Sequence, residues 1–293
     1  MNKIATTAEP EKEREAPRSN APSAEAVPAW SDSRPAAGPK NPHGWPSRLR
    51  SYFILNPLIW AYTLTLGTLS LASSFFDRNG RIQHNFARLW SWLIMKTVQS
   101  PVKVTGMNID KDIDKDKSAT PIPRVYAVTH ASALDIPILY VHLPFQFRII
   151  FKSELLAYPF IGWHLKRSGQ VCINQQNPAA SIGAVKSALR SLRNGTPLVI
   201  FPEGGRTRDG GVQPFLPGAF FLAIKAQAEI VPIALVGTFD LLPMNTYHIK
   251  CQPLEMRVGA PVSTAGLTLR DTDAVSAKVK AAIEALHSAP RTT

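Results

Sequence analysis

The sequence predicts an α/β fold, a mostly parallel sheet flanked by helices, with an N-terminal membrane-associated helical segment ahead of it. Three observations predict it. From residue 100 onward, seven short apolar runs are bounded by turn residues. Helical patterns lie between several of them. A stretch of 26 residues without one charge, residues 51–76, precedes them all. Runs that are apolar at nearly every position suit strands buried on both faces, as in parallel sheets whose crossovers are helices.

Residues 1–46 are rich in Pro, Ala, Ser, Glu and Lys and poor in large apolar side chains. Such a segment buries too little surface to offset the entropy of ordering, so a disordered tail is expected. No apolar run follows its first charges, so it does not read as a signal peptide. Residues 47–99 are expected to form a membrane-associated helical region. The stretch SYFILNPLIWAYTLTLGTLSLASSFF exceeds the roughly 20 helical residues that cross a hydrocarbon core of about 30 Å. Pro57, Gly67 and several hydroxyl residues weigh against one straight helix. Arg48 and Arg50 precede it, while Arg78, Arg81 and Arg88 follow, so positive charge sets no orientation. The next pattern, Phe86 to Val98, carries Trp90 and Trp92, a residue type that favours the lipid headgroup level. The pair is expected as a hairpin dipping into one leaflet, or as one span followed by an interfacial helix. Two core helices of a soluble protein are the alternative.

Residues 100–293 are expected to form the α/β domain. Its predicted strands are 102–104, 125–129, 147–151, 170–173, 197–201, 230–236 and 254–258. The segment NPAASIGAVKSALRSLRNG predicts a helix. Asn177 caps it, Pro178 suits its first turn, and Ile182, Val185, Leu189 and Leu192 share one face. Arg190 and Arg193 complement its carboxyl end, and Gly195 ends it. Val275, Val279, Ile283 and Leu286 mark another amphipathic helix. The mixed charges from Asp110 to Lys117 read as a solvated turn without a function.

The chain holds 33 Lys+Arg against 21 Asp+Glu, a net charge of +12. That excess suits anionic lipid surfaces, nucleic acid or phosphorylated substrates. No nucleic-acid motif is present, and basic residues are not interleaved with aromatic ones. Two cysteines, Cys172 and Cys251, make neither a disulfide framework nor a metal-binding spacing.

Two short clusters carry chemistry. The first is THASALD, residues 129–135, directly after a predicted strand. Functional groups collect at the carboxyl ends of strands in such sheets. Residues five apart in a regular helix point about 140° away from each other. If His130 and Asp135 interact, His130 therefore sits on the loop and Asp135 at the helix start, where Pro137 is also tolerated. The aspartate then fixes one imidazole tautomer and stabilises the imidazolium. Alternatively, Asp135 is only a helix cap and Ser132-x-x-Asp135 a capping box. Ser132 has no GxSxG elbow, which disfavours a serine nucleophile. The second cluster is FPEGGRTRDGG, residues 201–211, after another predicted strand. Gly204 and Gly205 let the backbone approach an anion. Arg206 and Arg208 are forked donors suited to phosphate. Glu203 can orient an arginine or accept a hydroxyl. A plain polar turn with Glu and Arg paired is the alternative.

Together these clusters resemble the glycerolipid acyltransferases, the 1-acylglycerol-3-phosphate acyltransferases. His130-Ala-Ser-Ala-Leu-Asp135 resembles the family's His-x4-Asp motif, and Phe201-Pro-Glu-Gly-Gly-Arg206 its Phe-Pro-Glu-Gly-x-Arg motif. Ile230-Val-Pro-Ile-Ala-Leu235 is similar to its apolar Pro-containing motif, and FKSELLAYPFIGWHLKRSGQVCINQQ to the stretch carrying the fourth. The likeness covers roughly residues 100–265. It implies acyl transfer from acyl-CoA or acyl-carrier protein to lysophosphatidic acid, giving phosphatidic acid for phospholipid biosynthesis. His130 would be the general base and Asp135 its support. Glu203, Gly204, Gly205 and Arg206 would bind the acceptor, with Lys152 and Arg208 as further candidates. It implies no metal and no cofactor beyond the donor substrate. The expected partners are membrane lipids, the acyl donor and acyl-carrier protein where that is the donor, and no nucleic acid. The expected location is a membrane at its cytoplasmic face, the inner membrane for a bacterial chain. Gln175, with Asn174 before it, stands where the family usually has an arginine, which leaves another lysolipid acceptor open. A hydrolase is the alternative of another class.

Overall fold

The computed structural model describes residues 44–77, 79–106, 122–158, 161–174, 177, 181–216 and 219–291. The expected tail therefore lies outside the described residues up to position 43, as do Arg78, the turn from Asp110 to Lys117, Gln175 and Pro178.

Among the described residues, every predicted strand forms. They are β1 (Val102–Gly106), β2 (Arg124–Val128), β3 (Arg148–Lys152), β4 (Val171–Ile173), β5 (Leu198–Ile200), β6 (Glu229–Val236) and β7 (Leu254–Val258). They make a seven-stranded sheet in the order β1-β7-β6-β2-β5-β3-β4. The neighbouring pairs are parallel except β6 with β7, which is antiparallel. The mostly parallel sheet is the one the apolar runs predict, and one apolar cluster lies on each of its faces.

Pro232 sits inside the central strand β6, where a missing N–H ought to break a ladder. The neighbouring Ile233 carbonyl faces β2, because it accepts from Thr129 N. Pro232 therefore faces the β7 side, and β6 pairs with β7 only from Ile233 onward. Its carbonyl is used there by Gly259 N at 2.9 Å, so only the absent donor falls in a gap of the ladder.

The helical region is one continuous run: α1 (Trp45–Arg50), a π turn (Ser51–Leu55) and α2 (Asn56–Ser73). These 29 residues are long and apolar enough to cross a membrane. Pro57 does not break the run, because it falls just after the π turn. The wider turn admits a residue without an N–H, and Asn56 Nδ2 donates to the Ser51 carbonyl at 2.7 Å. After a short connection comes α3 (Arg81–Val98). Trp90 and Trp92 do not share a face of α3. Trp90 turns inward and donates from Nε1 to Thr63 Oγ1 at 3.0 Å, while Trp92 is half exposed beneath the Lys96 ammonium.

Leu55, Ala87, Ile94 and Val98 bury into the same apolar cluster as Tyr126, Val128, Ile138 and Phe147. Each fully buried side chain of this size contributes about 1.5–3 kcal/mol. By contrast Tyr52, Phe53, Ile54, Trp60, Leu64 and Leu69 remain exposed, so one side of the run holds the domain and the other presents apolar surface.

The remaining helices are α4 (Asp135–His142), α5 (Ile161–Arg167), α6 (Ile182–Arg193), α7 (Phe221–Ala226), α8 (Thr238–Leu241) and α9 (Thr272–Ser288). In α9, Val275, Val279 and Ile283 are buried as their spacing predicts. In α6 the expected cap is displaced. The helix begins at Ile182, five residues after Asn177, and Ile182 is exposed. Ser181 stands at the N-cap without a side-chain bond to the helix; its Oγ instead accepts Asn174 N at 2.8 Å, tying the helix start to the end of β4.

Candidate active site

The parallel pairing of β2 with β5 sets Ala127 opposite Ile200. Three residues further on, His130 comes level with Glu203, so the two motifs meet at the carboxyl edge of the sheet. The backbone N–H of His130 donates to Glu203 Oε1 at 3.0 Å. In return Thr207 N donates to the His130 carbonyl at 2.8 Å. The imidazole lies over the Phe201 ring, centroids 4.1 Å apart and 24° between planes.

Asp135 is fully buried and its Oδ2 sits 2.9 Å from His130 Nδ1. The same oxygen accepts the N–H groups of Ala131 at 2.8 Å and Ser132 at 2.9 Å. Asp135 is thus the first residue of α4 rather than its N-cap, and its carboxylate reaches back over the loop. One half of the expected capping box forms, the bond from Ser132 N. The other shifts by one residue, since Ser132 Oγ accepts from Leu134 N at 3.2 Å. A carboxylate only accepts, so the neutral imidazole holds its proton on Nδ1 and leaves the Nε2 lone pair free to take another. The His130 side chain is 18% exposed. Ser132 is fully buried and donates its hydroxyl to the Leu242 carbonyl at 2.9 Å, which leaves no nucleophile facing the site from that position.

Among the described residues, Glu203 pairs with no arginine. Its Oε2 accepts Gln213 N at 3.2 Å, and the side chain is buried beneath the His130 loop. Burial pushes its carboxyl up to about 7, with smaller upward pushes from Asp135 and Asp209, against the two N–H bonds that favour the charged form. Gly204 has a φ of +70°, a conformation that suits glycine, and its N–H donates to the Phe201 carbonyl at 3.0 Å. Lys152 ends β3, two strands from β2. A Cβ built on Gly205 would lie 3.9 Å from its ammonium nitrogen, so lysine and turn share one place. Arg206 is half-buried and Arg208 exposed on the same loop.

Arg167, another conceivable phosphate ligand, points elsewhere. Its guanidinium lies 4.3 Å from the centroid of the Phe75 ring, at the end of the helical run. Thr207 and Gln213 escape sequence reasoning. Gln213 Nε2 donates to Thr207 Oγ1 at 3.0 Å and Asp209 Oδ1 at 2.8 Å. Nothing in the spacing of a lone glutamine after two glycines signals this.

Residues 110–236 match the family model described as Acyltransferase. A 1-acyl-sn-glycerol-3-phosphate acyltransferase of Chlamydomonas reinhardtii is 33% identical over 192 residues, 65% of this chain and 54% of that protein. One of Helicobacter pylori is 33% identical over 153 residues, 50% of this chain and 62% of that protein. The chain spans about half the length of its plant and algal relatives. The crystal structure of the 1-acyl-sn-glycerophosphate acyltransferase PlsC from Thermotoga maritima superposes with a TM-score of 0.60 at 21% identity. That match covers 84% of this chain and all of the other, and it shows the shared fold. The His130 and Glu203 motifs both fall inside the segment that matches the Acyltransferase model, and the relatives this segment is similar to are 1-acyl-sn-glycerol-3-phosphate acyltransferases.

Proposed function

We propose that this chain is a membrane-associated O-acyltransferase that moves a fatty acyl group from acyl-CoA or acyl-carrier protein to lysophosphatidic acid, giving phosphatidic acid. The observation that carries it is the 2.9 Å contact between His130 Nδ1 and a fully buried Asp135, with the imidazole partly open at the sheet edge. His130 Nε2 takes the proton of the acceptor hydroxyl as that oxygen attacks the thioester carbonyl. Asp135 stabilises the imidazolium that forms. The tetrahedral intermediate collapses, the C–S bond breaks, and the imidazolium proton passes to the departing thiolate. The ester and a free thiol leave, and the imidazole is restored without a covalent acyl-enzyme.

Arg206, Arg208 and Lys152, with the backbone of Gly204 and Gly205, bind the acceptor phosphate. The support is the placement of both arginines and glycines on one turn beside His130, the approach of Lys152 to Gly205 from the end of β3, and the affinity of guanidinium and ammonium groups for phosphate. The exposed apolar side of the helical run, with its flanking Arg48 and Arg50, holds the domain on the membrane at its cytoplasmic face. There the acceptor and product keep their acyl chains in lipid. Another lysolipid acceptor is the second reading. Asn174 and Gln175 stand where the family usually has an arginine, and Arg167 is turned toward Phe75.

The test is acyl transfer from labelled acyl-CoA by the detergent-purified chain, offered lysophosphatidic acid and a neutral-headgroup lysolipid side by side, with His130→Ala as the blank. Labelled phosphatidic acid from the intact protein alone supports the reading. Product from the neutral lysolipid alone moves the acceptor, and free fatty acid in place of both means hydrolysis.

A further inference from the structure

We propose that Glu203 and Gln213 are positioning residues that aim His130, and that Glu203 does not touch the acceptor. This rests on His130 as the base. Glu203 is 7% exposed and lies under the loop that carries His130. Each of its oxygens already accepts a backbone N–H, that of His130 at 3.0 Å and that of Gln213 at 3.2 Å. A hydroxyl from solvent or lipid meets the more exposed imidazole first.

The first bond joins two loops that Thr207 N also ties together through the His130 carbonyl, and the second lies within one of them. His130 N and Glu203 are 73 residues apart in the chain, and the bond between them runs across neighbouring strand ends. Gln213 closes the second loop on itself. Its side-chain nitrogen is set among Thr207 Oγ1, Asp209 Oδ1 and the Gly211 carbonyl, at 3.0, 2.8 and 3.2 Å. Thr207 Oγ1 in turn donates to Asp209 Oδ1 at 2.7 Å. This ring of bonds fixes the Thr207 N–H that holds the His130 carbonyl. The peptide of His130 is thereby gripped from both sides, its N–H by Glu203 and its carbonyl by Thr207, while Asp135 holds the ring. Backbone position sets where Nε2 points, and a misplacement of about 1 Å at a reacting group costs on the order of 100-fold in rate.

The test is the split of kcat from the acceptor KM in Glu203→Gln and Gln213→Ala of the full chain, with His130→Ala beside them. Glu203→Gln keeps the shape but turns an N–H2 toward one of the two N–H donors. Its kcat is expected to fall about 10- to 100-fold with the acceptor KM within about twofold of the parent. Gln213→Ala, which removes no buried charge, is expected to lower kcat about three- to tenfold with the same unchanged KM, and carries the test if Glu203→Gln does not fold. A rise in acceptor KM at constant kcat in Glu203→Gln would mean that Glu203 touches the acceptor and overturns the proposal while His130 stays the base. Parent kinetics in Gln213→Ala overturn its share. Turnover surviving in His130→Ala removes the base, and the proposal with it.

Discussion

His130 Nδ1 lies 2.9 Å from Asp135 Oδ2, and that one carboxylate oxygen also gathers the N–H groups of Ala131 and Ser132. A single acceptor thus orders the loop and the ring together. Removal of the imidazole in His130→Ala should lower acyl transfer about 100-fold to 10,000-fold, the range of a lost general base. Thermal unfolding should hold near the parent, since the side chain is partly exposed. Full turnover in that variant would falsify the base assignment.

Arg206 lies half-buried on the turn beside Lys152 and Gly205. A hydrogen bond to a charged group contributes about 1.5–3 kcal/mol, so Arg206→Ala should raise the KM for lysophosphatidic acid roughly 10- to 100-fold. A neutral-headgroup lysolipid should feel little of this. Equal losses on both acceptors would assign Arg206 to something other than phosphate.

The buried carboxyl of Glu203 is raised from 4.5 to about 7. A raised folded value favours the protonated form, so the stability it contributes is whole below about 4.5 and is lost as pH rises through about 7. Glu203→Gln carries no such titration. Its stability relative to the parent should therefore climb by about 3 kcal/mol from the acid end of that window to its alkaline end. Denaturant midpoints measured across the window should diverge; parallel curves would mean that Glu203 titrates as an ordinary exposed acid.

His84 on α3 lies against Tyr140 and Phe147, with ring centroids 5.1 Å from each. Burial, then the nearby Arg88 and Arg148, pushes its imidazole down from 6.5 to about 4. Here the sign is the reverse: the stability is present above 6.5 and is lost as pH falls through about 4. His84→Phe keeps the ring and drops the charge. Its melting temperature should fall less than the parent's as pH is lowered across that window, and an identical fall would place the acid sensitivity elsewhere.

Gly259 follows β7 where Pro232 and α9 close in. A Cβ there would stand 2.9 Å from Pro232 Cγ and 3.0 Å from Leu286 Cδ1. Gly259→Ala should cost roughly 1–3 kcal/mol by overpacking. A melting temperature equal to the parent's would mean that Pro232 and Leu286 move aside freely.

Much of this was readable in advance because it is local. The run IVPIALV announces a buried strand whatever lies beside it, and Val275, Val279 and Ile283 announce a helix face by their spacing alone. Local competition hid other features. Asn177 is as good a cap by type as Ser181, and the helix starts after Ser181. Trp90 has the composition of a headgroup residue, yet Thr63 on the facing helix draws its indole inward. Gln213 carries no pattern because its partners are side-chain and backbone atoms placed by a loop closure.

Hydrophobic periodicity and turn chemistry act within a few residues, so the residues alone place the strands, make the sheet mostly parallel and set which residue types stand at two strand ends. That those ends are neighbours comes from the folded sheet. Strand order puts β2 beside β5, and the register of Ala127 with Ile200 brings His130 N to Glu203 across 73 residues of chain. Backbone hydrogen bonds between distant strands are nearly the same for any apolar side chains. Which strands become neighbours is therefore set by how the helices cover the whole sheet, a property of all the segments together and of none alone.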